Sequence, residues 1–188
     1  FAGGDDPTDG ARPHPMTYAD PRQSGGGQGH TQVTHLMGMV LWVTGREAEE
    51  VFCYLDRRGL AVDVVDAMAF RFAGGGSGTV TSTGTAVDGQ PPHQRIRYYG
   101  TAGCVEQDLV TAQAILHRND GTRTTRQLGE NAVTYPVEMP SRRFADLIAG
   151  TTDADHAPGT AAAATVAFLD AAYRSAASHQ PEVVMTRR

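Results

Sequence analysis

Residues 24–45, SGGGQGHTQVTHLMGMVLWVTG, constrain the fold more than any other segment of the chain. Three glycines lead into polar residues that recur at helical spacing, namely Gln28, Thr31, Gln32 and His35. Residues at this spacing share one face of a helix. The residues after His35 are apolar on every side, which is typical of a buried helix. We therefore predict a buried helix whose polar stripe faces an internal cavity, ending at Thr44-Gly45.

The polar stripe and the glycines before it have two interpretations. Glycine has no Cβ, so either another backbone or a flat ligand can approach closely. Buried polar side chains are normally paired within the protein, so the stripe could equally hydrogen-bond neighbouring loops and only satisfy a buried helix. Both interpretations stay open at the level of the residues alone.

The rest of the chain predicts an α+β fold with a largely antiparallel sheet. Strand candidates bounded by turn residues are 51–57, 66–73, 79–85, 95–99, 104–108, 112–118 and 122–128. Asn119-Asp120-Gly121 is a hairpin signal, and consecutive strands with short turns favour antiparallel pairing. Helices are predicted at 141–148 and 160–178. Residues 1–20, rich in Gly, Pro and Asp, read as a linker or loop, which leaves 21–188 as the folded domain.

Several pieces occur in an order that matches a known family. The glycine-helix segment is followed by Val62-Asp63-Val64-Val65-Asp66-Ala67, then by AFRFAGGGSGTVTSTGT, IRYYGTAGCVEQD and a late LDAAYRSA. From roughly residue 18 to residue 184 the chain resembles the second domain of the Gfo/Idh/MocA oxidoreductases, the glucose–fructose oxidoreductase and inositol dehydrogenase family. The resemblance implies an open-faced sheet with helices packed on one face. It also implies an oligomer formed through the open face.

The resemblance assigns candidate site residues. The family motif GG-x-x-x-D-x-G-x-H places its acid/base histidine on His35 and its aspartate on Thr31, which cannot hold a charge. Gly26 and Gly27 are candidates for close approach of the cofactor. The candidate substrate contacts flank the glycines, because sugars and polyols are bound by hydrogen-bonding groups: Tyr18, Arg22, Gln28, His30 and Gln32. Tyr18 and Arg22 could instead only pin the linker.

The chain lacks the parts with which this family binds its cofactor. It contains no G-x-G-x-x-G, since Gly74 to Gly78 has the wrong spacing and lies between strands. It also contains no lysine, whereas the family uses a lysine in a Glu-Lys-Pro motif. The chain therefore looks like the C-terminal half of an oxidoreductase, separated from an N-terminal Rossmann domain. We expect NAD or NADP in the full-length protein, and neither cofactor nor turnover with this fragment alone.

Three functions follow from the resemblance. The first is the substrate-binding and oligomerisation half of an NAD(P)-dependent oxidoreductase acting on a sugar, polyol or related hydroxy compound. The second is a stand-alone, non-catalytic binding module, to which Thr31 and the missing lysine point. The third is half of an NAD-dependent glycoside-cleaving enzyme.

Composition excludes several other classes. A net charge of −5 argues against a nucleic-acid groove, and no apolar run is long enough to span a bilayer. Cys53 and Cys104 are too few for a disulfide framework, so a reduced, cytoplasmic location is expected. His30 and His35 diverge by about 140° around a helix, so no metal site is predicted.

Overall fold

The computed structural model describes residues 19–85, 89–90, 93–129, 138–153, 155 and 157–185. The chain divides into two compact units, one of Phe1–Asp88 with His156–Arg188 and one of Gly89–Asp155. The predicted linker at 1–20 lies outside the described residues except for Ala19 and Asp20.

The described residues form helices and strands in the following order. They are α1 (Pro21–Ser24), a π-helical turn (Gly29–Val33), α2 (Thr34–Thr44), β1 (Ala48–Asp56), β2 (Val65–Phe72), β3 (Ser77–Thr83), β4 (Arg95–Gly100), β5 (Gly103–Asp108), β6 (Gln113–Arg118), β7 (Arg123–Gln127), α3 (Glu138–Ile148), α4 (Gly159–Ser178) and β8 (Glu182–Val183). None of the helices in these ranges is long and apolar enough to cross a membrane.

The first unit is an antiparallel sheet in the order β3-β2-β1-β8, with α2 and α4 packed against each other and α4 against β1. Alternation along β2 directs every second side chain into the core, from Asp66 to Phe72. Phe70 meets Phe168 of α4 edge to face, with ring centroids 5.4 Å apart. This geometry adds to the burial energy of the two rings. The core therefore lies between one face of the sheet and the two helices.

The second unit contains an antiparallel sheet in the order β4-β5-β6-β7. Its register places apolar residues together on one face, namely Ile96, Tyr98, Val105, Ala114 and Leu116. The opposite face is charged, with Arg95 2.9 Å from Asp108 and Arg97 3.3 Å from Glu106. The strands of this sheet are half-buried or exposed along their whole length.

The predicted α+β class and the seven predicted strands are confirmed, with small shifts at their ends. The predicted hairpin is also confirmed, since β6 and β7 pair on either side of Gly121, whose φ is +84°. The strands divide into two four-stranded sheets, which their spacing alone could not show. β8 was not predicted, because two residues are too short for a periodic pattern. Helix α3 begins at Glu138, so Ser141 lies within it.

The predicted burial of α2 on all sides is wrong. Met37 and Leu41 are buried, but Trp42 is 58% exposed and Val43 is 48% exposed. Only one side of α2 faces the core, so its continuous apolar run does not correspond to continuous burial. Its predicted end is confirmed, because Gly45 adopts a φ of 61° and its amide donates to the Leu41 carbonyl.

Candidate substrate-binding site

The glycine turn, residues 25–29, joins α1 to the π-helical turn and packs against the segment that precedes β2. Helix α1 ends at Ser24 and is capped by Gly25, which has a φ of 77°, and residues 26–29 are buried. A Cβ on Gly27 would overlap the carbonyl oxygen of Asp63, and one on Gly29 would lie 2.8 Å from the Tyr173 hydroxyl. Glycine is therefore required here, because the turn touches the chain's own backbone and α4.

Asp63 holds this turn in place with its carboxylate. Its Oδ1 accepts hydrogen bonds from the Gly27 amide at 3.0 Å and the Tyr173 hydroxyl at 2.8 Å, and its Oδ2 accepts from the Gly29 amide at 2.7 Å. Burial alone would raise the pKa of Asp63, but the hydrogen bonds from Gly29, Tyr173 and Gly27 outweigh it and lower the pKa. Asp63 is therefore a buried, ionised anchor for two backbone amides and one phenol.

Gln28 is also tied to the sheet. Its backbone N–H donates to the Asp63 backbone carbonyl at 2.9 Å, and its side-chain Nε2 donates to Ser82 Oγ in β3 at 2.8 Å. The side chain is 6% exposed. These contacts favour the structural interpretation of Gln28.

Thr31 and His30 differ in what their side chains contact. The Thr31 hydroxyl donates to the Gly27 carbonyl at 2.8 Å, one turn back along the chain. His30 is half-buried and its ring lies against that of Tyr173, with centroids 4.8 Å apart. Its Nδ1 is buried and has no hydrogen-bond partner among the described residues. A Cβ on Gly26 would overlap that nitrogen and lie 2.7 Å from the Tyr173 hydroxyl, so Gly26 makes room for both rings.

The remaining predicted site residues lie outside this anchored cluster. His35 is exposed on α2, and Gln32 is half-buried in the π-helical turn. Arg22 is on α1 with its side chain in solvent, 3.6 Å from Asp20. Tyr18 lies outside the described residues. The predicted single polar stripe is therefore not formed: Gln28 turns towards β3 while His35 faces solvent, because the π-helical turn between them alters the helical spacing.

Asp66 and Cys53 form a second buried polar group beside Asp63. Asp66 is 1% exposed, and no donor in the described part of the chain meets either of its oxygens with hydrogen-bonding geometry. Burial and then the neighbouring charge of Asp63 raise the pKa of Asp66 to about 8. Burial, followed by the charges of Asp66 and Asp63, raises the pKa of the Cys53 thiol to about 12, so this thiol is unreactive.

The residues at the glycine turn do not fit the pyrophosphate of a dinucleotide. Phosphate groups are bound by free backbone amides at a helix N-terminus. Here the amides of Gly27 and Gly29 already bind the Asp63 carboxylate, and the space above the glycines is filled by His30, Asp63 and Tyr173. The groups that lie close to Gly26 and Gly27 thus belong to the protein itself, namely His30, Tyr173 and Asp63. Contact of these two glycines with a cofactor stays a prediction. Within the described ranges, no three His, Cys, Asp or Glu residues form a group that could hold a metal.

Two residues of this cluster were not predicted as site residues. Tyr173 lies within the predicted helix 160–178, and Asp63 lies shortly before the predicted strand 66–73. The available signal was an aspartate between two valines directly before a strand of alternating burial. A pattern of this kind indicates a buried carboxylate, but it does not identify the partner.

Comparisons with known proteins agree with this architecture. Residues 3–106, more than half of the chain, match the profile described as the GFO/IDH/MocA C-terminal domain. No curated protein matches the sequence.

Solved structures share the fold at low identity. An oxidoreductase domain protein from Kribbella flavida is 18% identical with a TM-score of 0.72, covering 89% of this chain and 54% of that protein. A levoglucosan dehydrogenase in complex with NADH and levoglucosan is 19% identical with a TM-score of 0.73, covering 93% and 55%. An aldose-aldose oxidoreductase from Caulobacter crescentus, complexed with glycerol, is 17% identical with a TM-score of 0.70, covering 92% and 52%. The chain thus spans about half the length of these proteins.

Proposed function

Since this chain belongs to the family of GFO/IDH/MocA C-terminal domains, we propose that it is the substrate-binding half of an NAD(P)-dependent oxidoreductase. The proposed substrates are sugars, polyols or related hydroxy compounds. Two of the similar structures contain levoglucosan with NADH and glycerol, respectively, which supports this substrate class.

The anchored glycine turn is the observation that supports this proposal most. Four hydrogen bonds hold residues 27–29, two to the Asp63 carboxylate, one to its carbonyl and one to Ser82. The chain then continues directly to His30, half-buried, and His35, exposed. A site needs rigid support for the groups that meet the substrate, and this turn provides it.

His35 is the proposed acid/base group. Oxidation of a hydroxyl requires a base to take the O–H proton as hydride leaves carbon, and an imidazole can do so near neutral pH. The nicotinamide supplies the hydride acceptor when bound. Its binding groups would belong to a separate domain, because the glycine turn of this chain has no free amides for phosphate.

A non-catalytic binding module is the second candidate function, and Thr31 favours it. Where the family motif has an aspartate, this chain has a hydroxyl that is already bound to the Gly27 carbonyl. Thr31 therefore has neither the charge nor a free donor with which to orient an imidazole.

Activity of the full-length protein separates the two candidates. NAD- or NADP-dependent turnover should be measured by nicotinamide absorbance against a panel of sugars and polyols. We expect turnover of at least one polyhydroxy compound, and its loss in His35→Ala but not in the control His93→Ala, which changes an exposed histidine outside the site. A full-length protein without a nucleotide-binding domain, or without turnover of any compound, would favour the binding module.

We also propose a homo-oligomer formed through the open face of the sheet. The candidate surface is the apolar face of β4–β6, whose side chains are half-buried, because contiguous apolar faces commonly mark interfaces. Light scattering should find a dimer or larger species, and a monomer at high concentration would argue against it. The cytoplasmic location stays a prediction.

A further inference from the structure

We propose that His30 presents its Nε2–H as a fixed hydrogen-bond donor to an oxygen atom of the bound substrate. The inference depends on the proposed function only for the class of substrate, a sugar or polyol. It assigns His30 a binding role that differs from the proton transfer proposed for His35.

The enclosed end of the His30 ring determines which nitrogen carries the proton. A neutral imidazole has one N–H and one bare nitrogen. Nδ1 is buried beside Gly26, without an acceptor in the described part of the chain. An N–H buried there would be an unsatisfied donor, which costs about 1–3 kcal/mol. The proton is therefore favoured on Nε2.

The hydroxyl nearest to this end of the ring is already engaged. The Tyr173 hydroxyl lies against Gly26, as Nδ1 does, but donates its proton to Asp63 Oδ1 at 2.8 Å. Asp63 in turn is held by the amides of Gly27 and Gly29. The hydroxyl proton is thus committed to a buried carboxylate, and the hydroxyl oxygen accepts from the His30 backbone amide, so this hydroxyl offers Nδ1 neither a donor nor a free acceptor.

The same contacts fix the orientation of the ring. One side packs on the Tyr173 ring at a centroid distance of 4.8 Å and an interplanar angle of 38°. The Nδ1 edge of the ring occupies space that a Cβ on Gly26 would fill. An imidazole fixed with its N–H on Nε2 can donate to a hydroxyl or carbonyl oxygen, but it has no lone pair at Nε2 with which to accept a proton.

Nuclear magnetic resonance of the histidine-labelled chain tests this arrangement without requiring activity. At a pH where imidazoles are neutral, we expect His30 to show a single tautomer with a bare Nδ1 and a protonated Nε2. Adding glycerol, the simplest polyol probe, should shift the His30 Nε2 resonance more than that of His179 at the end of α4. A protonated Nδ1, or glycerol shifts no larger at His30 than at His179, would overturn the proposal.

Two substitutions in the full-length protein test the donor role. The glutamine amide reaches the position of a histidine Nε2, whereas the shorter asparagine reaches only that of Nδ1. We therefore expect His30→Gln, which retains a donor at that position, to raise KM less than His30→Asn. His30→Asn should raise KM roughly three- to tenfold, the value of one hydrogen bond.

The value of kcat distinguishes a donor from a base. We expect kcat to change little in both variants, and matched melting temperatures to exclude a general folding defect. A fall of kcat in His30→Gln by about 10² or more would identify His30 as a base and overturn the proposal. Absence of turnover in the unchanged protein would refute the proposed function instead, and the tautomer and glycerol result would then decide the role of His30.

Discussion

The hydroxyl of Tyr173 in α4 donates a hydrogen bond of 2.8 Å to Oδ1 of Asp63, which lies 110 positions earlier in the chain. The same carboxylate binds the amides of Gly27 and Gly29. One buried side chain thus joins the last long helix, the segment before β2 and the glycine turn. The orientation of the candidate site depends on this connection.

Asp63→Ala should strongly destabilise the protein. The change leaves two buried amides and the Tyr173 hydroxyl without an acceptor, so we expect a loss of about 3–5 kcal/mol in the free energy of unfolding. Chemical denaturation measures this loss. The matched control is Asp56→Ala, because Asp56 is an exposed aspartate whose carboxylate contacts the amide and the guanidinium of Arg58 in its own turn. A loss under about 1 kcal/mol in Asp63→Ala would contradict the anchoring role.

Gly27→Ala should be much more harmful than an alanine at an unconfined glycine. Its Cβ would overlap the Asp63 carbonyl, so the turn must move and overpacking should cost about 1–3 kcal/mol or more. The control is Gly159→Ala at the start of α4, where no atom lies within 4 Å of the added Cβ. Thermal melting should fall only for Gly27→Ala. Equal melting temperatures in the two variants would show that the turn can relax.

The Asp63–Asp66 pair should make stability depend on pH. The pKa of Asp66 is raised in the folded state from 3.8 to about 8, so the native protein holds a proton that the unfolded chain releases. The stability that protonated Asp66 contributes to the folded protein is fully present below about pH 4 and is lost as the pH rises from about 4 to about 8. The groups that face it are Asp63, Cys53 and Tyr173. Asp63 has a lowered pKa, so its own contribution is lost only at acid pH.

Asp66→Asn isolates this effect. Asparagine resembles the neutral carboxyl, so the advantage of the variant over the unchanged protein should grow as the pH rises from about 4 to about 8, and it should be at least about 1 kcal/mol larger at pH 8 than at pH 4. Urea denaturation of both proteins at several pH values measures this difference in the free energy of unfolding. Parallel pH profiles for the two proteins would show that Asp66 is already ionised at neutral pH in the folded state.

His35→Ala in the full-length protein should lower kcat and kcat/KM together by roughly 10²–10⁴, the usual contribution of a positioned proton-transfer group. Stability should change little, because His35 is exposed and alanine is the better helix former. His93→Ala is the control for both measurements. Full turnover combined with a lowered melting temperature would make His35 a structural residue.

Residues 1–188 alone should bind neither NAD nor NADP tightly. The amides of Gly27 and Gly29, which could bind phosphate, are bound to Asp63. Isothermal titration calorimetry of the chain with each nucleotide checks this expectation. Binding with micromolar affinity would contradict it and would place a nucleotide site within this chain.

The sequence determined the local elements well, because they depend on neighbours along the chain. Alternation and turn residues located β1 to β7, and the glycine at 45 located the end of α2. The order of these elements also indicated the family, which the profile match over residues 3–106 confirms. The turn at Asn119–Gly121 followed from the conformational preference of its residues.

Only the tertiary structure showed how the polar side chains of this segment are placed and which of them are bound within the sheet. Helical spacing placed Gln28 and His35 on one face, but a π-helical turn separates them, and Gln28 is bound to Ser82 across 54 positions. The spacing of the apolar residues likewise could not show that Trp42 is exposed, or that the strands form two sheets. Burial and hydrogen-bond partners depend on contacts between distant segments, whereas periodicity in the sequence indicates only which residues share a face. For this reason the role of Asp63, fixed by Gly27, Gly29 and Tyr173, became visible only in the folded chain.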